Sequence, residues 1–159
     1  RYDFIIIDSS PSFSEMRYAM DAADKIYLVT TPDHVTLETT GKALKEAREM
    51  KKEVEGIIVN KISNPKFELT LDEVENELGV PVVARIRFDK KVGESLFFFK
   101  PHAIHYENDG VSREVRGFCS ALCGVPEKKR FWGRFVPKRI NKEKVNRDLL
   151  RSKFYEATL

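Results

Sequence analysis

Four short apolar runs, separated by stretches of helical periodicity, constrain this chain more than any other feature. They are Phe4–Ile7 (FIII), Ile26–Thr30 (IYLVT), Gly56–Asn60 (GIIVN) and Pro81–Ile86 (PVVARI). A strand with one wet face alternates apolar and polar residues, so near-continuous apolar runs predict strands buried on both faces. Helical patterns fill the gaps. Glu15–Ala23 places Met16, Ala19, Met20 and Ala23 on one side, and Thr36–Lys52 is rich in Ala, Leu, Glu and Lys. Thr70 and Glu73 form a capping-box pattern at the head of a helix that stops at Gly79. Lys90–Phe99, ended by Lys100-Pro101, and Gly110–Cys123, ended by Gly124 and Pro126, complete the set. Strand and helix in alternation predict an α/β fold, a partial doubly wound parallel sheet with helices on both faces.

At 159 residues and 42% hydrophobic composition, the chain can bury one core. No apolar run approaches the length of a membrane span, and no leader pattern opens the sequence. Two cysteines are too few for a disulfide scaffold, so a reducing cytoplasm is the simpler expectation. The net charge of +3 is unevenly distributed: residues 126–159 carry eleven Lys/Arg against four Asp/Glu, leaving residues 1–125 with 17 against 21. We therefore expect a body, 1–125, and a basic amphipathic tail, 126–159, joined at Gly124–Glu127.

Ligands of open parallel sheets collect at the carboxyl ends of the strands. Asp8 stands at that end of the first run, where a carboxylate can hold Mg²⁺ through a water. A cap for the following turn or helix is the other reading of Asp8. Residues 5–33, IIIDSSPSFSEMRYAMDAADKIYLVTTPD, resemble the Walker B and switch II region of the MinD/ParA family of P-loop ATPases. The shared order is a strand ending in Asp8, then Pro11 and a helix, then Ala22-Ala23-Asp24 and a strand closing on Thr30-Thr31-Pro32. The likeness continues in GIIVNKI (56–62), in residues 71–106 and in SREVRGFCSALCG, so that it covers residues 2–125.

The resemblance implies a P-loop NTPase-like fold that takes ATP and Mg²⁺. Asp8 is then catalytic and the magnesium residue, with Ser9, Ser10 and Pro11 forming switch II. Asn60 and Lys61 fall where the family reads adenine, although a strand-end turn is the plainer role for Asn60. Arg87, Phe88 and Asp89 fall on a nucleotide loop where the family tends to have Pro-Glu-Asp. The implied partners are a second copy with nucleotide and a protein activator, and the implied role is positioning cell-division, chromosome or other cargo. One family element is absent from these residues: there is no glycine-rich loop to cradle phosphates. Together with an opening residue that is not Met, this points to the C-terminal half of a longer ATPase. A non-catalytic adaptor of the same fold, recruiting partners through its tail, is the alternative.

The tail begins Lys128-Lys129-Arg130-Phe131-Trp132-Gly133-Arg134-Phe135 and resembles the lipid-docking amphipathic helix that ends MinD proteins. Phe131, Trp132 and Phe135 suit an interface, and Lys128, Lys129, Arg130 and Arg134 suit anionic headgroups. The expected location is the cytoplasm, with peripheral attachment to the inner face of the membrane as one option and nucleic acid as a less favoured partner. Residues 140–155 have the spacing of another amphipathic helix. Asp33 and His34 suit helix capping, and neither His102 and His105 nor Cys119 and Cys123 have the company of a metal site. The cysteines are expected to face the core. Phe97-Phe98-Phe99 is expected to be mostly core, with one ring left for a partner or the tail, because three consecutive helical residues cannot all face inward.

Overall fold

The computed structural model describes residues 2–10, 12–63, 66–125 and 145. Its elements are α1 (Phe13–Ala22), β1 (Ile26–Thr30), α2 (His34–Glu49), β2 (Val54–Ile62), α3 (Leu71–Leu78), β3 (Val82–Arg87), α4 (Lys90–Phe97), α5 (His102–His105) and α6 (Gly110–Leu122). The strands form a parallel sheet in the order β1-β2-β3, with α2 and α3 as the crossovers. The expected tail contacts, residues 128–135, lie outside the described residues, as do Pro11 and most of 140–155.

Strand alternation divides the core between two faces. On one, Ile26, Leu28, Ile57, Val59 and Val82 pack with Leu37 and Leu44 of α2 and Leu71, Val74 and Leu78 of α3. Val145, from the tail, packs against this cluster. On the other face Tyr27, Ile58 and Val83 meet Phe118 and Ala121 of α6. Tyr27 and Phe118 form an edge-to-face pair with centroids 5.4 Å apart. Helices on both faces follow directly from the continuous apolar runs.

Two details hold the sheet in register. Gly56 is required by close packing, since a Cβ there would lie 2.6 and 2.7 Å from the two γ-methyls of Val83. The β2–β3 register shifts at the neighbouring Ile57/Ile58 step. On β3, carboxylates take two strand N–H groups: Val82 donates to Glu75 Oε1 at 2.6 Å and Arg85 to Glu114 Oε1 at 3.0 Å. Such groups otherwise invite another chain to pair.

The capping box forms as expected: Glu73 N–H donates to Thr70 Oγ1 at 3.2 Å and Thr70 N–H to Glu73 Oε2 at 2.8 Å. Gly79 ends α3 at φ 64°, the left-handed conformation that glycine adopts without steric cost. Asp33 caps α2 by accepting from Thr36 N at 2.9 Å, which starts that helix two residues before the expected Thr36.

Four expectations are corrected. Phe4–Ile7 forms no strand and is exposed. A strand exists only by pairing, and β1 pairs with β2 alone among the described strands. Phe97, Phe98 and Phe99 are all exposed rather than core, because α4 turns Ser95 inward and ends at Phe97. Cys119 is exposed and Cys123 half-buried, because α6 buries Val111, Ser112, Gly117 and Ala121 instead. Small residues let that helix lie close to the sheet. The last correction is the short helix α5, where no element was expected; the Pro101 carbonyl accepts from Ile104 and His105 at 3.0 Å and closes its turn.

Candidate functional site

Three parallel strands in one sheet put their carboxyl ends on one rim, so the sequence-predicted residues of β2 and β3 come together there. Asn60 and Lys61 stand at the end of β2, and Arg87 ends β3 with Phe88 and Asp89 immediately after it. The two ends are joined by a hydrogen bond from Phe88 N–H to Ile62 O at 2.9 Å. The end of β1 joins the same rim, and Leu69 N–H donates to Pro32 O at 3.0 Å to hold the loop after β2 beside it.

At Asn60 the side-chain Oδ1 accepts from Lys61 N–H at 2.8 Å. This leaves the amide NH₂ as a donor at the rim. Lys61 itself has φ 58°, in the left-handed region that non-glycine residues seldom occupy. Backbone held there concentrates at functional sites. Arg87 and Phe88 are exposed, and Asp89 caps α4 by accepting from Lys91 N at 2.9 Å. Asp33 has a capping role too. Its carboxyl lies below the ordinary aspartate range, first through the Thr31 hydroxyl and then through Thr36 N–H.

Asp8 and its neighbours lie elsewhere. Ile7, Asp8, Ser9, Ser10, Glu15, Tyr18, Ala19 and Ala22 line a cleft of about 320 Å³ between the N-terminal segment and α1. None of Asn60, Lys61, Arg87, Phe88 or Asp89 lines it. Ser10 Oγ donates to Glu15 on the first turn of α1. Its hydroxyl also accepts from Ser12 N–H at 3.3 Å. Ser9 stays exposed, with its hydroxyl donating to Ser10 O at 3.4 Å. Asp8 thus sits in a cleft with a mainly apolar lining, beside serine hydroxyls on the same segment.

The donor set in this cleft is hard oxygen, which suits magnesium. Among the described residues no group of three His, Cys, Asp or Glu side chains could hold a metal by itself. Magnesium sites built from one carboxylate, waters and substrate phosphates need no such group.

A partly buried polar network that the sequence did not suggest joins α4, α5 and α6. His102 Nε2 and Asp109 Oδ2 are 2.7 Å apart, and His102 Nδ1 lies 3.2 Å from Ser95 Oγ. Asp109 also caps α6 by accepting from Ser112 N at 2.8 Å. The side chains of His102 and Asp109 are 12% and 11% exposed. No spacing rule marks His102 and Asp109 as partners, since α5 was itself unforeseen.

No family model matches the chain. An uncharacterized ATP-binding protein of Methanocaldococcus jannaschii is 30% identical over 102 residues, 64% of this chain and 40% of that protein. The chain spans about half the length, or less, of the three curated relatives it matches, at 40%, 47% and 48%. Among solved structures, the MinD cell division protein of Aquifex aeolicus superposes with a TM-score of 0.64 at 18% identity, over 70% of this chain and 48% of that one. A ParA family ATPase from Chlorobium tepidum gives 0.55 at 25% identity, over 64% and 42%. The parallel sheet with its flanking helices thus supports one assignment: the chain has the fold of the MinD/ParA P-loop ATPases, and over part of their length it is similar in sequence to curated ATP-binding proteins.

Proposed function

We propose that these residues are the C-terminal portion of a MinD/ParA-like ATPase that dimerises with ATP and positions cargo. The observation that carries this reading is the rim itself: Asn60, whose Oδ1 accepts from Lys61 N–H, the left-handed Lys61, and Arg87-Phe88-Asp89 at neighbouring strand ends. In this reading Asn60 and Lys61 meet the base, and Arg87, Phe88 and Asp89 border the nucleotide. Asp8 orders the magnesium shell from its cleft, with Ser9, Ser10 and Pro11 as the responsive segment beside it. Magnesium, when bound, neutralises charge that develops on the transferring phosphoryl group.

The phosphate loop must come from polypeptide outside these residues. Two features support an added strand: Val29 on β1 is 59% exposed, and Phe4–Ile7 keeps strand composition without a partner strand among the described residues. A second copy and a protein activator complete the proposed assembly, and the tail, through Lys128 to Phe135, gives it a peripheral foothold on the inner face of the membrane.

The test is ATP turnover by the full-length product of the gene that encodes these residues, with and without Asp8→Asn. Turnover should fall at least ~100-fold while nucleotide binding persists, because the carboxylate acts on the transition state rather than on ground-state affinity. Equal turnover in both proteins removes Asp8 from the mechanism. A full-length product with no glycine-rich loop removes the ATPase and leaves the adaptor of the same fold.

A further inference from the structure

The segment from Lys90 to His105 presents an apolar tip that neither the fold nor the rim uses. Leu96, Phe97, Phe99 and Ile104 are 72%, 78%, 96% and 75% exposed, although the interior buries leucines and isoleucines such as Leu37 and Ile57 almost completely. Phe98 is the anchored member of the aromatic triplet. Its ring meets Phe97 edge-on at 5.3 Å and His105 at 6.0 Å, so its neighbours are left facing outward. Phe99 has φ 52°, a left-handed conformation that disfavours large side chains, and it follows the end of α4.

The tip is held from beneath. Ser95 of α4, His102 of α5 and Asp109 at the head of α6 form one hydrogen-bonded chain, and Lys91 Nζ sits 5.0 Å from the centre of the Tyr106 ring. An exposed apolar group on a fixed platform loses little conformational freedom on docking.

Charge decides what it docks on. Between Lys90 and His105 there are three lysines, Lys90, Lys91 and Lys100, against a single carboxylate, Glu94; of the bordering carboxylates, Asp89 caps α4 and Asp109 is bonded to His102, and Glu107 lies two residues beyond His105. Glu94 hydrogen bonds the Tyr106 hydroxyl, whose pKa it raises, so its oxygen is directed back into the cluster. Lys100 follows Phe99 directly and is exposed. Projecting aromatic and aliphatic side chains flanked by lysines match the boundary between acyl chains and anionic headgroups. A fluid surface accepts such projections without needing a complementary groove.

We propose that the α4–α5 tip, through Leu96, Phe97, Phe99, Ile104 and Lys100, is a docking surface for anionic lipid. It is independent of the ATPase reading and separate from the tail, and the two lipid contacts are told apart by variants in each. The full-length product of the gene is floated with vesicles of phosphatidylglycerol and phosphatidylcholine, and with phosphatidylcholine alone, at low salt. Wild type should float with the anionic vesicles only. Phe97→Ser plus Phe99→Ser should weaken that binding at least ~10-fold with an unchanged circular dichroism melt. Phe97→Leu plus Phe99→Leu should retain it, and Lys100→Glu should weaken it several-fold, on the order of 5-fold. Trp132→Glu plus Phe135→Glu reads the tail separately.

Wild-type flotation of the paired serine variant overturns the tip whatever the tail variant does. Equal flotation on neutral vesicles overturns it as well. So does light scattering that finds a wild-type dimer and a monomeric serine variant, neither of them on lipid, because the surface is then an interface between copies. Should the paired serine variant melt early, the exposed Lys100→Glu variant takes its place, and flotation of that variant at the wild-type level overturns the tip.

Discussion

Replacing Gly56 by Ala tests the closest contact in the sheet. The new Cβ would lie 2.6 and 2.7 Å from the γ-methyls of Val83. Carbon atoms attract best at ~3.5–4.0 Å, so each contact overlaps by about 1 Å. Val83 is fully buried and packs with Ala121 of α6, so its methyls have little room to retreat. Overpacking of this kind costs about 1–3 kcal/mol. For a chain of this size that is roughly 2–4 °C in Tm per kcal/mol. Val83→Ala alone removes the same two methyls and should cost about 1.5–3 kcal/mol through lost burial and a residual cavity. The informative species is the double variant. With the Val83 methyls gone, the methyl introduced by Gly56→Ala fits, so the pair should lose about 1 kcal/mol less than the sum of the singles. Urea unfolding followed by far-ultraviolet circular dichroism, with a common slope for all four proteins, measures the cycle. Additivity within about 0.3 kcal/mol, or a Gly56→Ala variant as stable as wild type, would refute the close-packing account of Gly56.

Two further expectations concern the network and the rim. Burial raises the Asp109 carboxyl, but Ser112 N–H and His102 lower it further, and the net shift is downward. A depressed carboxyl contributes stability above its unfolded pKa and loses that contribution as pH falls through the lower folded value. Asp109→Asn should therefore lower stability by about 1 kcal/mol at pH 7, and the gap to wild type should close as acid protonates Asp109 below pH ~4; chemical unfolding at several pH values measures it, and a gap that persists unchanged in acid counts against the linkage. Lys61→Gly should relieve the left-handed backbone and raise stability by about 0.5–1 kcal/mol over Lys61→Ala, while the nucleotide affinity of the full-length protein falls. A Lys61→Gly protein less stable than Lys61→Ala shows that φ 58° is not strained there.

The periodicity of the apolar runs was sufficient for β1, β2 and β3 and for the helices between them, because burial on both faces leaves no polar alternation in the sequence. Capping chemistry was legible for a similar reason. Thr70, Glu73, Gly79 and Asp33 act within one turn of themselves, so their neighbours in sequence are also their neighbours in space. The rim was legible only as separate strand ends. That Asn60 lies beside Arg87-Phe88-Asp89 depends on β2 pairing with β3, and the left-handed Lys61 depends on the irregular end of that pairing.

Phe4–Ile7 shows the other side of the same physics. Its composition is that of a strand, yet composition supplies only side chains to bury, and the ladder needs a partner that the described sheet does not offer it. The triplet Phe97-Phe98-Phe99 reads as core by hydrophobicity, but the orientation of α4, with Ser95 inward, turns it out. The link from Ser95 through His102 to Asp109 crosses three helices and leaves no trace at any fixed spacing. Local propensity and pattern thus determined which segments are strands and helices. Tertiary packing decided which of those segments found partners, and which apolar residues were left to face something else.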